Sequence, residues 1–245
     1  MADAKAGLAR CYAANLGGCK PPISSEHFIS RGVLEQIGPK ILIDGLPWAG
    51  KQKALPATSL GSNVLCKHHN SLLSDVDVEA ASMFRCAKDV REGKRFGEIL
   101  LDGDRIERWT LKVLSGLLAS GNTRRADGTS TKGFAPPANW NRVLFGQLPM
   151  PADCGLHFFE REQGDGKEEL AVTINSHAED NRIYGITVQM MGLNLHLCLQ
   201  KLVWQRPEKC ILRPRGIYFP NIDSLMRFSW ADGGTQTVIS LGPPA

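Results

Sequence analysis

Apolar positions along the chain fall into two regimes. Between Leu72 and Ala87 they recur at Leu72, Leu73, Val76, Ala80, Met83, Phe84 and Ala87, while Asp75 and Glu79 lie off that stripe. The spacing is that of an amphipathic helix. A second helix is predicted from about Ile106 to Ser120, where Trp109, Val113, Leu114, Leu117 and Leu118 make one face and Gly121-Asn122 supplies the stop. The stretch 121–140, GNTRRADGTSTKGFAPPANW, is rich in Gly, Pro, Ser and Thr and reads as a loop or linker. From about residue 153 the period shortens toward two. LHFFERE, ELAVTINS, RIYGITVQMM, LNLHLCLQ, SLMRFSWA and TQTVISL read as strands, with turn residues at 163–166, Gly192 and 232–234. The pattern predicts an α+β chain in three parts. These are an N-terminal module over 1–95, a helical connector over 96–123 and an antiparallel β-rich region over 124–245.

Composition sharpens this only in places. A chain of 245 residues with 42% hydrophobic and 22% charged positions is not wholly disordered. No apolar run reaches the ~18 residues that span a bilayer. The first residues lack the apolar core of a secretory signal, so a cytoplasmic location without membrane contact is expected. There, seven cysteines read as thiols or metal ligands before disulfides, and their odd number argues against a complete disulfide framework. Residues 1–95 carry 13 basic and 9 acidic side chains, and residues 96–245 carry 16 of each, so the net +4 arises wholly in the first module. A modest positive potential there suits a polyanion.

The same module holds the side chains with chemistry to offer. Cys11 and Cys19 form one close pair, and Cys66-Lys67-His68-His69 forms a second. Two such pairs, separated by a long loop, can supply thiolates and an imidazole nitrogen to a tetrahedral structural Zn²⁺. The x-x spacing favours His69 over His68 as the ligand beside Cys66. The alternative is a set of unrelated buried thiols with a surface histidine. Within this frame Glu26 directly precedes His27 on a predicted short strand, so the two side chains point to opposite faces. Asn63 precedes the second pair and Asn70 directly follows it.

The series Glu26-His27, Asn63 and Cys66-x-x-His69-Asn70 resembles the HNH nuclease family, whose ββα-metal core is often framed by a treble-clef zinc site. More narrowly, the segments from Ser25 to Leu34 and from Asn63 to Asp77, with their SEHFIS and LCKHHN patterns, are similar to poorly characterised bacterial HNH-like proteins. The resemblance covers about residues 11–90. It implies a metal-dependent endonuclease acting on DNA, with RNA as the second candidate substrate. His27 matches the general base that takes a proton from the attacking water. Glu26 matches the acidic metal ligand, and Asn63 the residue that orients the imidazole. Asn70 stands where the family commonly has a final histidine and would be a second ligand to catalytic Mg²⁺ or Mn²⁺. Cys11, Cys19, Cys66 and His69 would hold the structural zinc. A bacterial defence or mobile-element nuclease fits this layout, with a protein or nucleic-acid partner recognised by the C-terminal region. The rival reading is a catalytically silent zinc module that binds nucleic acid or protein.

Elsewhere the signals are weaker. His157, His177 and His196 read as isolated strand or loop residues, and Cys86, Cys154, Cys198 and Cys210 as core thiols. The basic segment from Lys201 to Arg215, with Trp204 and nearby Tyr218, has the ingredients to stack bases and hold phosphates. A solvated loop edge is its plainer reading, and Arg124-Arg125 has the same status.

Overall fold

One helix organises the molecule, and its caps show why it starts and stops where it does. In the computed structural model, which describes residues 10–38, 40–43, 53–56, 60–124, 128–131, 134–159, 170–177, 179–201 and 210–242, helix α4 is Gly103–Ser120. The Asp102 carboxylate caps its N-terminus by accepting from the Arg105 N–H at 3.0 Å. Gly121 ends it in the left-handed conformation that glycine adopts without strain, at φ 69°. Between the caps almost every residue from Ile106 to Leu118 is buried, the mark of a helix covered on all sides.

The N-terminal part lies on one side of α4. Strand β1 (Ile23–His27) leads to helix α1 (Arg31–Ile37) and to a hairpin of β2 (Lys40–Ile43) and β3 (Lys53–Pro56). Strand β4 (Gly61–Cys66) then returns antiparallel to β1, with His27 opposite Gly61 and Ile23 opposite Cys66. A short helix α2 (Lys67–Ser71) and the long α3 (Ser74–Arg91) follow at once. The predicted stripe of α3 is buried from Val76 to Ala87, and Phe84 meets Trp109 of α4 edge to face at 5.4 Å between centroids. Leu72, expected on that stripe, is instead 55% exposed because the chain bends between α2 and α3.

Two sheets cover the rest of α4. Strands β6 (Gly155–Phe159), β7 (Leu170–Ser176), β8 (Ile183–Met190), β9 (Leu193–Cys198) and β10 (Cys210–Leu212) form an antiparallel sheet in the order β10-β6-β9-β8-β7. The β8–β9 turn is Met191-Gly192, both at positive φ (52° and 83°), as a tight hairpin of matching twist requires. The second sheet corrects the sequence reading. Its order is β13-β11-β12-β5, from β5 (Glu98–Asp102), β11 (Gly216–Phe219), β12 (Ser224–Ser229) and β13 (Val238–Ser240). The pairs β12/β5 and β11/β13 are parallel, so the β-rich region is not purely antiparallel. Alternation along a strand reveals its buried face but not the direction of its neighbour. The segment expected as a helical connector thus contributes a strand, and a short helix α5 (Ala138–Leu144) ends the expected linker. The buried core is continuous from Cys11 to Ile239.

Two more expectations change here. Arg213, counted among the phosphate-binding candidates, is buried at a φ of 44° and donates to both oxygens of Glu107 on α4 at 3.0 Å, while also pairing with Asp232. Glu107 Oε2 in turn accepts the Leu156 N–H at 2.8 Å. Lys201 lies 3.4 Å from Asp153 and Tyr218 donates to Asp223, whereas Trp204, Arg206, Lys209 and Arg125 lie outside the described residues.

His157 and His196 are not isolated: they are direct cross-strand partners on β6 and β9. Thr187 Oγ1 lies 2.7 Å from His196 Nδ1. Burial, with His157 beside it, pushes His196 down to about 4. The unfolded chain therefore binds a proton at this residue at a higher pH than the folded one. Stability is full above the ordinary imidazole range and falls as pH drops from about 6.5 toward 4, by at most roughly 3 kcal/mol. We expect denaturant midpoints to fall across this window, and His196→Gln to flatten that fall. An unchanged pH profile in the variant would contradict the assignment.

Candidate metal centre

The loop before β1 is shaped to bring two thiols to one place. Tyr12 N–H bonds the Val64 carbonyl at 3.0 Å, which ties the loop to β4. A 3₁₀ turn at Ala14–Leu16 then leads into Gly17 and Gly18, both at positive φ (76° and 69°), and the reversal returns Cys19 toward Cys11. The other pair comes from a strand-to-helix junction. Cys66 ends β4 and caps α2, its Sγ accepting the His69 N–H at 3.4 Å. The three-residue spacing across the first helical turn puts Cys66 and His69 on one side.

The four ligand atoms lie within 4.8 Å of one another. His69 Nδ1 is 3.4 Å from Cys11 Sγ, 3.5 Å from Cys19 Sγ and 3.3 Å from Cys66 Sγ. Bond lengths of ~2.3 Å to sulfur and ~2.0 Å to nitrogen place ligands of a tetrahedral zinc about 3.5 Å apart, so the cluster fits that ion. Cys11, Cys66 and His69 are buried, and the Phe145 ring covers His69 edge-on at 5.3 Å. The Gly17 backbone also lies beside His69 and acts to raise its basicity.

Electrostatics favour a cation here. Burial, then neighbouring thiols, push Cys19 up to about 12, and burial raises Cys11 as well. Cys66 moves the other way. Burial raises it, but the backbone N–H groups of His69 and Lys20 and hydrogen bonds from Cys11 and Cys19 outweigh that. Burial and then His68 lower His69, leaving the neutral imidazole that a metal needs. One thiolate forms readily; three together require a positive ion among them.

Glu26 has a different setting. As expected from alternation it points away from His27, into the interior, where its carboxylate is 4% exposed and ion-paired with Lys112 of α4. Lys112 also holds both oxygens of Asp77 on α3, at 2.7 and 2.8 Å. Ser30 donates to Asp77 and accepts from Trp109 Nε1 at 2.8 Å. Sequence reasoning overlooked Lys112, Asp77 and Ser30. The signal was present, because a lysine three residues after Trp109 lies on the buried stripe of α4.

His27 ends β1, half-buried, with Nε2 lacking a hydrogen-bond partner among the described residues. Burial, then Lys112 and Arg31, lower its basicity. Asn63 is exposed on β4, and Asn70 is half-buried in α2 with its carbonyl accepting the Leu73 N–H at 3.1 Å. No hydrogen bond among the described residues joins Asn63 to His27, or Asn70 to Glu26. The structure therefore brings together a Cys₃His cluster that could hold a metal such as zinc, whereas the acidic ligand expected for Mg²⁺ is already engaged by an ammonium group and does not fit that role. Among the described residues no helix is long and apolar enough to cross a membrane.

Compared with known proteins, the chain matches no family model, no curated protein and no solved structure.

We expect protein purified without chelator to carry one zinc per chain by elemental analysis. Cys66→Ser should lower both zinc content and melting temperature, because loss of a structural metal ligand removes binding energy that is also folding energy. A wild-type protein with sub-stoichiometric zinc, or a variant as stable as the wild type, would sink the assignment.

Proposed function

We propose that the module of β1, β4, α2 and α3 is an HNH-type endonuclease unit that hydrolyses phosphodiester bonds of DNA, with RNA as the second substrate. The observation that carries this reading is the placement of His27. Its imidazole stands at one end of an antiparallel strand pair whose other end runs into the Cys₃His cluster, and a long helix follows. With its basicity lowered, His27 is neutral near pH 7, the form that accepts a proton from an attacking water. Its Nε2 is buried without a hydrogen-bond partner among the described residues, so no side chain there holds the ring in a fixed protonation role. Asn63 lies two residues from Gly61, the partner of His27, and so on the face of β4 from which its side-chain carbonyl can orient the ring.

The charge around the zinc cluster supports a polyanionic substrate. Arg10, Lys20 and Lys67 are exposed, and each directly neighbours a zinc ligand in sequence, Cys11, Cys19 and Cys66. None makes an ion pair with a described residue, so all three are available to phosphates. Of the two ligands that the resemblance gives to Mg²⁺ or Mn²⁺, Asn70 makes no side-chain hydrogen bond among the described residues, whereas Glu26 is ion-paired with Lys112. That ion pair favours a second reading, a zinc module that binds nucleic acid or a protein without cleaving.

A plasmid-nicking assay with Mg²⁺, with Mn²⁺ and with chelator separates the two. We expect His27→Ala to lower nicking by ~10²-fold or more, the usual loss on removing a general base, and Asn70→Ala to lower it as well. Equal activity in all three proteins marks a contaminant and ends the catalytic reading. Salt-dependent DNA binding without nicking supports the silent module.

A further inference from the structure

Lys112 sits at a point where oxygen ligands converge. Both oxygens of Asp77 lie 2.7 and 2.8 Å from its Nζ, and Glu26 Oε1 is in direct contact with it. The side chains of Lys112 and Glu26 are 1% and 5% exposed, so water has little share in neutralising Glu26, whereas Asp77 is partly open to solvent. Asp77 Oδ1 also accepts from the Ser30 hydroxyl, itself held by Trp109. The Tyr12 hydroxyl is buried without a hydrogen-bond partner among the described residues, and its ring lies near both carboxylates. Carboxylates from two distant segments, aimed at one buried point, are the usual setting of a metal ion. Here the occupant is supplied by the chain.

We infer that the Lys112 ammonium is the resident cation of the Glu26–Asp77 carboxylate pair, filling a position that takes a divalent metal ion when the lysine is removed. The inference rests on these contacts and stands whether or not the module cleaves DNA. It follows from the misfit between Glu26 and the catalytic-metal role. The Asp77–ammonium distances of 2.7 and 2.8 Å exceed the ~2.3–2.6 Å of calcium and the ~2.0–2.1 Å of magnesium. A contraction of roughly half an ångström about the vacated point would meet a divalent ion. Manganese, which is paramagnetic, reports on such binding directly.

The test uses the zinc-loaded full-length chain, titrated with Mn²⁺ and followed by electron paramagnetic resonance and by thermal melting. Wild type should bind no Mn²⁺ in a Glu26-dependent manner. Lys112→Ala should melt lower than wild type, bind one Mn²⁺ per chain, and regain roughly 5 °C at saturating metal. Adding Glu26→Gln to Lys112→Ala should abolish both the signal and the regain. A folded Lys112→Ala protein that retains its zinc yet binds no Mn²⁺ overturns the inference. So does Mn²⁺ binding by the wild type that Glu26→Gln removes. Where Lys112→Ala fails to fold, Lys112→Met, which keeps most of the side-chain volume, is held to the same outcomes. Nicking activity enters none of these outcomes, which keeps the inference separable from the nuclease reading.

Discussion

A charge inside a protein must meet its opposite there, and on α4 this requirement arises twice. Lys112 and Glu107 are both almost wholly buried on the same helix, little more than one turn apart. Lys112 reaches Glu26 and Asp77, in the N-terminal module. Glu107 reaches Arg213, next to the C-terminal sheets. Removing one partner of such a pair leaves an uncompensated ion that costs about 3–5 kcal/mol. The two pairs therefore fix where the strand–helix unit and the sheets stand along α4, while the apolar surface around them supplies most of the driving force for collapse.

The Cys₃His cluster works by a different principle. The loop over residues 10–22 has little regular structure, and burial holds Cys11 and Cys19 toward their protonated forms. A zinc ion there would replace the apolar burial that the loop lacks, and Phe145 and the Gly17 backbone complete the surroundings of His69. His27 stands in between, on a strand with one end at the cluster and its inward-facing neighbour on Lys112.

Much of this was legible from residue order. The two helices show in their apolar period because their stripes face a core, and the strands that read by alternation formed where that alternation occurred. The Cys₃His cluster was legible because part of its spacing is local, Cys66 to His69 within one helical turn. Partners were harder to read. Nothing near Glu26 in sequence announces Lys112, and nothing in EILLD tells that Glu98–Asp102 will lie parallel to Ser224–Ser229. The pairing of His157 with His196 likewise depends on strand register, which a residue's own neighbours do not encode. One clue remained in plain sight: a lysine on an otherwise apolar helix face implies a buried acid somewhere else.

The separation between Glu107 and Arg213 has a consequence for how the chain comes off the ribosome. The residues of the Cys₃His cluster and the partners of Lys112 are all complete by residue 112, so that half can take shape early. Glu107 waits for a partner 106 residues further on. At ~5–20 residues per second this is roughly 5–20 s during which an ionised helix face and the open edge of β5 stand uncovered. Contacts of such high order slow folding in general. A nascent chain that folded in this order would pass through a stage with the Cys₃His cluster assembled and the underside of α4 exposed, the interval in which a chaperone would have most to do.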